Sequence, residues 1–218
     1  MGTIAVVDYG MGNLRSVAKA LEHVAGSGQK VRVTDDAGVI DAAERVVFPG
    51  QGAARDCMRA IDAHGLREPL WQAAHTRPFL GMCMGLQVLL AYSEENEGTD
   101  CLGLFTGRVR YFGSLGRDAQ GRPFKVPHMG WNAVEQTQAH PLWQGIADGT
   151  RFYFVHSYYA HPDRPELVAG ATEHGLRFAS AVASANVFAC QFHPEKSSRD
   201  GLQLLANFVA WDGEGAPC

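Results

Sequence analysis

The run PFLGMCMGLQVLL, residues 78–90, sets one cysteine, Cys83, two positions from a glycine on either side, Gly81 and Gly85. This is the pattern of a nucleophile elbow, Gly-x-nucleophile-x-Gly, in which a sharp strand-to-helix turn crowds neighbouring backbone and leaves no room for side chains. Such a turn would put Cys83 at the start of the next helix. There the helix dipole favours a thiolate, and the Met84 N–H can face an oxyanion. A packed core cysteine is the alternative reading of the same residues. A cysteine nucleophile needs a base, and CQFHPEKS offers His193 with Glu195 two positions on. In an extended segment residues i and i+2 project to one side, so one short stretch can supply the base and the carboxylate that orients it. Pro194 is expected to help hold that segment extended. The third element is FPGQG, residues 48–52, where glycines flank Gln51 and would let its N–H turn toward a developing oxyanion. A plain Pro-Gly turn is the alternative there. A phosphate loop is not indicated, because Gly-Lys-Ser/Thr occurs nowhere.

These residues need elements to hold them. TIAVVDYG and RVVFPGQG read as short buried strands, KVRVT as an alternating strand, and RPFLGM as the strand into the elbow. Between them, Leu14, Val17, Leu21 and Val24 recur at helical spacing, and AARDCMRAIDAHG, LREPLWQAAH and GLQVLLAYS read as helices. Strands separated by helices imply βαβ units, a parallel sheet and ligands at its carboxyl edge. The second half (FTGRVRYF, WNAVEQ, RFYFVHSYYA, ELVAGATEH, LRFASAVAS, VFACQF) is strand-like and suggests antiparallel additions. A last helix carries Leu202, Leu205, Phe208 and Val209 on one face. The expected fold is α/β: one domain over 1–211, a mostly parallel central sheet with helices on both faces, and a frayed tail over 212–218. Residues 113–125 read as a polar loop with no assigned role.

Composition narrows the function. At 218 residues and 46% hydrophobic, the chain can bury a good-sized core without disulfides. A net charge of −4 gives no basic footprint for nucleic acid, and no apolar run is long enough to span a membrane. The start, MGTIAVVDYG, has no cationic leader. Five cysteines, Cys57, Cys83, Cys101, Cys190 and Cys218, have no CxxC pair, so neither a disulfide framework nor a metal site is expected, and a reducing cytoplasm fits. Cys190 is most simply core.

Elbow cysteine, upstream Pro-Gly-x-Gly turn and His-Pro-Glu near the end together resemble the triad-type glutamine amidotransferase family. DYGMGNLRSV (8–17), VPHMGWN (126–132), FYFVHSYYA (152–160) and QFHPEKS (191–197) narrow the resemblance to the glutaminase subunits of imidazole glycerol phosphate synthase, over essentially the whole chain. The resemblance implies Cys83 as nucleophile, His193 as general base and acid, and Glu195 as its orienting partner. It implies an oxyanion hole from Gln51, Gly52 and Met84, and a glutamine site from Gly50, Gln87, Ser157 and Tyr158. It sets Asn13, Trp131, Tyr153 and Lys196 toward a barrel cyclase partner in a heterodimer, with no cofactor. It also implies a glutaminase nearly silent until that partner binds its nucleotide, with the Gly50–Gln51 peptide as the expected gate. Gln51 stands where the family more usually has a small apolar residue, but its N–H does not depend on the side chain. A same-fold amidotransferase of another pathway and a stand-alone cysteine hydrolase are the competing readings.

Overall fold

The computed structural model describes residues 2–215. The first half alternates as the hydrophobic pattern requires: β1 (Gly2–Val7), α1 (Leu14–Ala25), β2 (Gln29–Thr34), α2 (Ala37–Ala42), β3 (Arg45–Gly50), α3 (Ala54–Ala63), α4 (Arg67–Thr76) and β4 (Phe79–Cys83). A single helical turn, α5 (Met84–Gln87), then leads to β5 (Leu90–Ser93), β6 (Thr99–Asp100) and β7 (Phe105–Tyr111). The second half supplies β8 (His128–Ala133), β9 (Glu135–Gln136), β10 (Arg151–His156), β11 (Tyr158–Pro162), β12 (Val168–Glu173), β13 (Arg177–Ser184) and β14 (Val187–Cys190), closed by α6 (Ser198–Ala210).

The main sheet runs β2-β1-β3-β4-β14-β13-β11-β7-β5-β6, with β12 branching from β13 and β9 pairing β12. Its first five strands are parallel, and the antiparallel additions begin at β13. A separate ribbon pairs β8 with β10. Cores form on both faces of the sheet. Phe48, Ile61, Leu70 and Phe79 pack beneath α3 and α4, and Leu21, Phe152, Phe192, Leu205 and Phe208 beneath α1 and α6. Each such fully buried large apolar side chain stabilises the fold by roughly 1.5–3 kcal/mol. The buried stripe of α6 is Leu204, Leu205 and Phe208, while Leu202 and Val209 are half-buried at its margin.

The expected helix over 85–93 is not formed beyond its first turn. The carbonyls of Val88, Leu89 and Leu90 accept from the N–H groups of Leu102, Phe105 and Gly103, so they are taken by a distant segment instead of the next helical turn. Long-range pairing outweighs the helical propensity of the leucines here. Of the tail expected at 212–218, residues 212–215 are coil with a bend at Gly213, and the Trp211 indole donates to the Glu214 carbonyl at 2.6 Å. Residues 216–218, with Cys218, lie outside the described residues. Residues 113–125 are largely exposed coil, tied by an Arg122–Asp118 pair at 2.8 Å. No described helix is long and apolar enough to cross a membrane.

Candidate active site

The register of the parallel strands brings the two glycine-bearing turns together. β3 and β4 pair with Gly50 opposite Cys83, so both turns open at the same carboxyl edge. Cys83 has φ 54 and ψ −109, a left-handed backbone that a non-glycine residue adopts only under constraint. The constraint is packing. A Cβ on Gly85 would overlap the Phe48 carbonyl oxygen, and one on Gly81 would come within 2.9 Å of the Ala189 Cβ and 3.0 Å of the Gly85 carbonyl. The strand into the elbow therefore has to be flanked by glycines, and the cysteine between them is forced up toward the cavity. With only four residues, α5 contributes little dipole, and local groups must supply what the sequence reading assigned to a full helix.

Pro49 has no N–H, and in a parallel ladder only alternate residues of a strand bond to a given neighbour. Phe48 and Gly50 therefore carry the β3–β4 bonds, and this geometry directs the Gly50 carbonyl to the Met84 N–H. Beyond it Gln51 and Gly52 are exposed, Gly52 at φ 93. The Cys57 thiol donates to the Gln51 carbonyl at 3.5 Å from beneath.

His193 comes from the other side, at the end of the run that follows β14. Its Nδ1 lies 3.0 Å from Glu195 Oε1, with both side chains buried. The segment is not extended, as the sequence reading expected. Pro194–Lys196 is a 3₁₀ turn in which the Lys196 N–H donates to the His193 carbonyl at 3.0 Å. The turn, not strand alternation, folds Glu195 back against the imidazole. The Tyr153 carbonyl and the Ser197 hydroxyl fix it further, accepting from the His193 N–H at 2.9 Å and donating to the His193 carbonyl at 2.7 Å. Burial by itself would lower the His193 pKa, but Cys83 and the Glu195 carboxylate outweigh it and push it up to about 10. Its Nε2 is buried with no partner in hydrogen-bond geometry. Burial also pushes the Cys57 thiol up to about 11, the Cys101 thiol to about 12 and the Cys190 thiol well above its ordinary value. These three stay protonated, whereas Cys83 is the described cysteine beside the His193 imidazole.

Cys83, Met84, Gln51, Gly52, Gln87, Ser157, Tyr158, His193 and Lys196 line one cavity of about 540 Å³. Glu195 and Gly50 lie behind it, at a second, very small cavity that Asn13 also lines. Asn13 thus sits beside the His193–Glu195 pair, its side chain making no cap bond to α1. Trp131 is exposed on β8 with its ring edge-on to Tyr153 of β10, centroids 6.2 Å apart, away from the cavity lining. Met129, 62% exposed on the same ribbon, escaped the sequence reading. So did Gln191, His128 and His156. Gln191 stands two residues before His193, in the QFHPEKS motif, and nothing local marks it. Among the described residues no His, Cys, Asp and Glu are grouped to hold a metal.

The family model "Glutamine amidotransferase class-I" matches residues 5–211. The imidazole glycerol phosphate synthase subunit HisH of Thiobacillus denitrificans is 60% identical over 98% of this chain and 93% of its own length. That of Pseudomonas putida is 59% identical over 98% of this chain and 99% of its own. In structure, PurLQS from Thermotoga maritima matches at a TM-score of 0.70 and 18% identity, covering 96% of this chain and 99% of the matched chain; that likeness speaks for the fold alone.

Proposed function

The chain belongs to the class-I glutamine amidotransferases and, among them, to the HisH subunits of imidazole glycerol phosphate synthase, as a glutaminase subunit in histidine biosynthesis; we propose that Cys83, His193 and Glu195 carry its chemistry. The observation behind this reading is the meeting, at one cavity, of a sterically forced cysteine with an imidazole backed by a buried carboxylate.

The Cys83 thiolate attacks the side-chain carboxamide carbon of glutamine, forming a C–S bond as the carbonyl electron pair moves onto oxygen. As the C–N bond breaks, the His193 imidazolium gives its proton to the departing nitrogen. Ammonia leaves and a γ-glutamyl thioester remains. His193, now neutral, takes a proton from water as the water oxygen attacks the thioester. The C–S bond breaks, glutamate leaves, and thiolate and imidazolium are restored. Glu195 holds the Nδ1 proton throughout, so Nε2 always faces the reaction.

The oxyanion falls to the N–H groups of Gln51, Gly52 and Met84. With the Gly50 carbonyl directed at Met84, the hole opens only when the Gly50–Gln51 peptide rotates. A single missing donor costs about 3–4 kcal/mol of transition-state stabilisation, enough to keep the resting enzyme slow. Gln87, Ser157 and Tyr158 form the glutamine site, with Gly50, expected there too, lying behind its wall, and the exposed Lys196 and the carboxylate of Glu95 suit the two charged ends of an amino acid. Ammonia is lost by protonation in open water, so a partner must take it directly. We assign that role to a barrel cyclase docking over Trp131, Tyr153, Lys196 and the nearby Asn13, in a heterodimer, and the cytoplasm as the place of work.

The test is glutamate release from glutamine by the chain alone, with the cyclase, and with cyclase plus its ribotide. Release that needs the cyclase and rises with the ribotide is expected, and Cys83→Ala should lower it by on the order of 10⁴-fold or more. Full activity without the cyclase would point to a stand-alone hydrolase, and full activity in Cys83→Ala would remove the nucleophile.

A further inference from the structure

Gln191 is fully buried beside the elbow, between β14 and His193. A buried carboxamide is costly unless its donors and acceptor are matched, and here they are matched in a fixed direction. The Tyr158 carbonyl can only accept. It lies 3.1 Å from the carboxamide of Gln87, so the Gln87 end that faces it must be the NH₂ group. The same Nε2 has a second hydrogen, and 2.9 Å away stands Gln191, which must therefore present its oxygen. That leaves the Gln191 NH₂ pointing the other way, and its nitrogen lies 3.7 Å from the Cys83 sulfur. The Tyr158 carbonyl is itself held, since His156 Nδ1 reaches it at 2.8 Å and must donate. His156 Nε2 is then an acceptor for His128 Nδ1 at 2.9 Å, and His128 Nε2 for the Asn132 carboxamide at 3.2 Å. Each bond sets the direction of the next, and none can be reversed without breaking the one before it.

We propose that Gln191 is a positioning residue for the nucleophile: its N–H, aimed by Gln87 and the Tyr158 carbonyl, donates to the Cys83 sulfur and stabilises the thiolate. The proposal rests on Cys83 being the nucleophile. It also gives Gln87 a second task, since its Nε2 is spent on Gln191 and Tyr158 while its Oε1 stays without a protein partner. A donor to sulfur is strong when the sulfur is charged and weak when it is a thiol, so the bond favours ionisation. The bond also restrains the sulfur from the side opposite the oxyanion turn, work that a four-residue α5 cannot do by its dipole.

The experiment is alkylation of Cys83 by iodoacetamide, followed by mass spectrometry of the Cys83 peptide across a pH series, in the full chain. The other ionisable groups near the sulfur are His193 and Glu195 at one side, Tyr9, Cys57 and Cys190 beneath, and His156, Tyr158, Glu95 and Lys196 around the cavity. All are retained in Gln191→Met and Gln191→Glu, so differences between the profiles report position 191. In Gln191→Met the alkylation midpoint should rise by roughly half to one pH unit, with about three- to tenfold slower labelling near neutrality. In Gln191→Glu, which sets a carboxylate against the sulfur, it should rise further. A Gln191→Met profile that overlays the parent profile overturns the proposal. A second readout needs no variant at position 191: the side-chain ¹⁵N–¹H signals of Gln191 in the native chain should titrate with the Cys83 midpoint, and signals flat across it overturn the proposal equally. Neither readout uses glutamine turnover, so loss of the glutaminase reading, seen as activity surviving in Cys83→Ala, would stand apart from failure here.

Discussion

The cavity has two walls, and they are held by different physics. The first wall, the elbow and the 50–52 turn at the edge of the parallel sheet, is shaped by where backbone has no room for a Cβ. The second wall, β10, β11 and the run from Gln191 to Ser197, is shaped by buried side chains that hydrogen-bond across long stretches of sequence. Steric fit is blind to pH. A chain of imidazoles and carboxamides is not, because its imidazoles hold these bonds only in the neutral state. Cys83 thus stands on a foundation indifferent to acid, facing an imidazole, His193, whose surroundings depend on it.

The largest expected effect exploits that contrast. Burial, together with their mutual proximity and that of His174, lowers the pKa of His128 to about 3; burial, against the hydrogen bond to Tyr158, brings His156 to about 3 as well. Their unfolded value is near 6.5, so the unfolded chain takes up these protons first. Stability is present above 6.5 and is lost as pH falls toward 3, at about 1.4 kcal/mol per pH unit for each such histidine. His140, lowered by burial to about 4 and packed against Phe188 and Trp211, adds a further term away from the site. His193 has the opposite sign: its raised value gives stability fully present below 6.5 and lost as pH rises toward about 10. Urea midpoints across the pH range should therefore fall on both sides. A flat profile between 6.5 and 5 would show that the second wall is not held by neutral imidazoles.

Next in size is Gly85→Ala. Its Cβ meets the Phe48 carbonyl, which is backbone in the middle of the sheet and cannot step aside. The cost should be roughly 3 kcal/mol, the upper end for overpacking a tight core, with loss of Cys83 alkylation in whatever remains folded. The sharper expectation is that this cost is the same near pH 7 and near pH 5. A penalty that changes with pH would mean the two walls are coupled and the contrast is false.

The same contrast explains what could be read in the sequence. Gly81, Cys83 and Gly85 lie within five residues, as do Gly50, Gln51 and Gly52 within three, and steric demands that local leave their mark in the spacing of glycines. The parallel half of the fold was legible for a related reason, since each buried strand shows as an apolar run. The second wall leaves no such mark. Gln87 and Gln191 are separated by 104 positions and His128 and His156 by 28, and neither pair departs from the pattern of an ordinary polar residue in a strand-rich region. The helix expected over 85–93 failed for that reason too: its residues favour a helix locally, and the carbonyls of Val88 to Leu90 are claimed from 102–105. The two-residue spacing of His193 and Glu195 implies an extended chain, whereas a 3₁₀ turn is what joins them.

The smallest expected effect tests how the first wall is divided. Gly50 is boxed in by the Tyr9 hydroxyl, and the Met84 Cβ would lie 2.9 Å from an added Cβ, so this end of the turn is as constrained as the elbow. Gly52 is different. A Cβ there would meet only the terminal methyl of Met11, at 2.7 Å, and a flexible thioether can swing away. What remains is the backbone cost of a left-handed residue at φ 93, about 1 kcal/mol. Gly52→Ala should accordingly fold with a slightly lowered urea midpoint. Its effect on glutamate release should exceed its effect on stability if the turn rotates as proposed, since the turn ends at this residue. If stability fell by as much as in Gly85→Ala, the turn would be packed as rigidly as the elbow, and an oxyanion hole that opens by rotating the Gly50–Gln51 peptide would have no hinge.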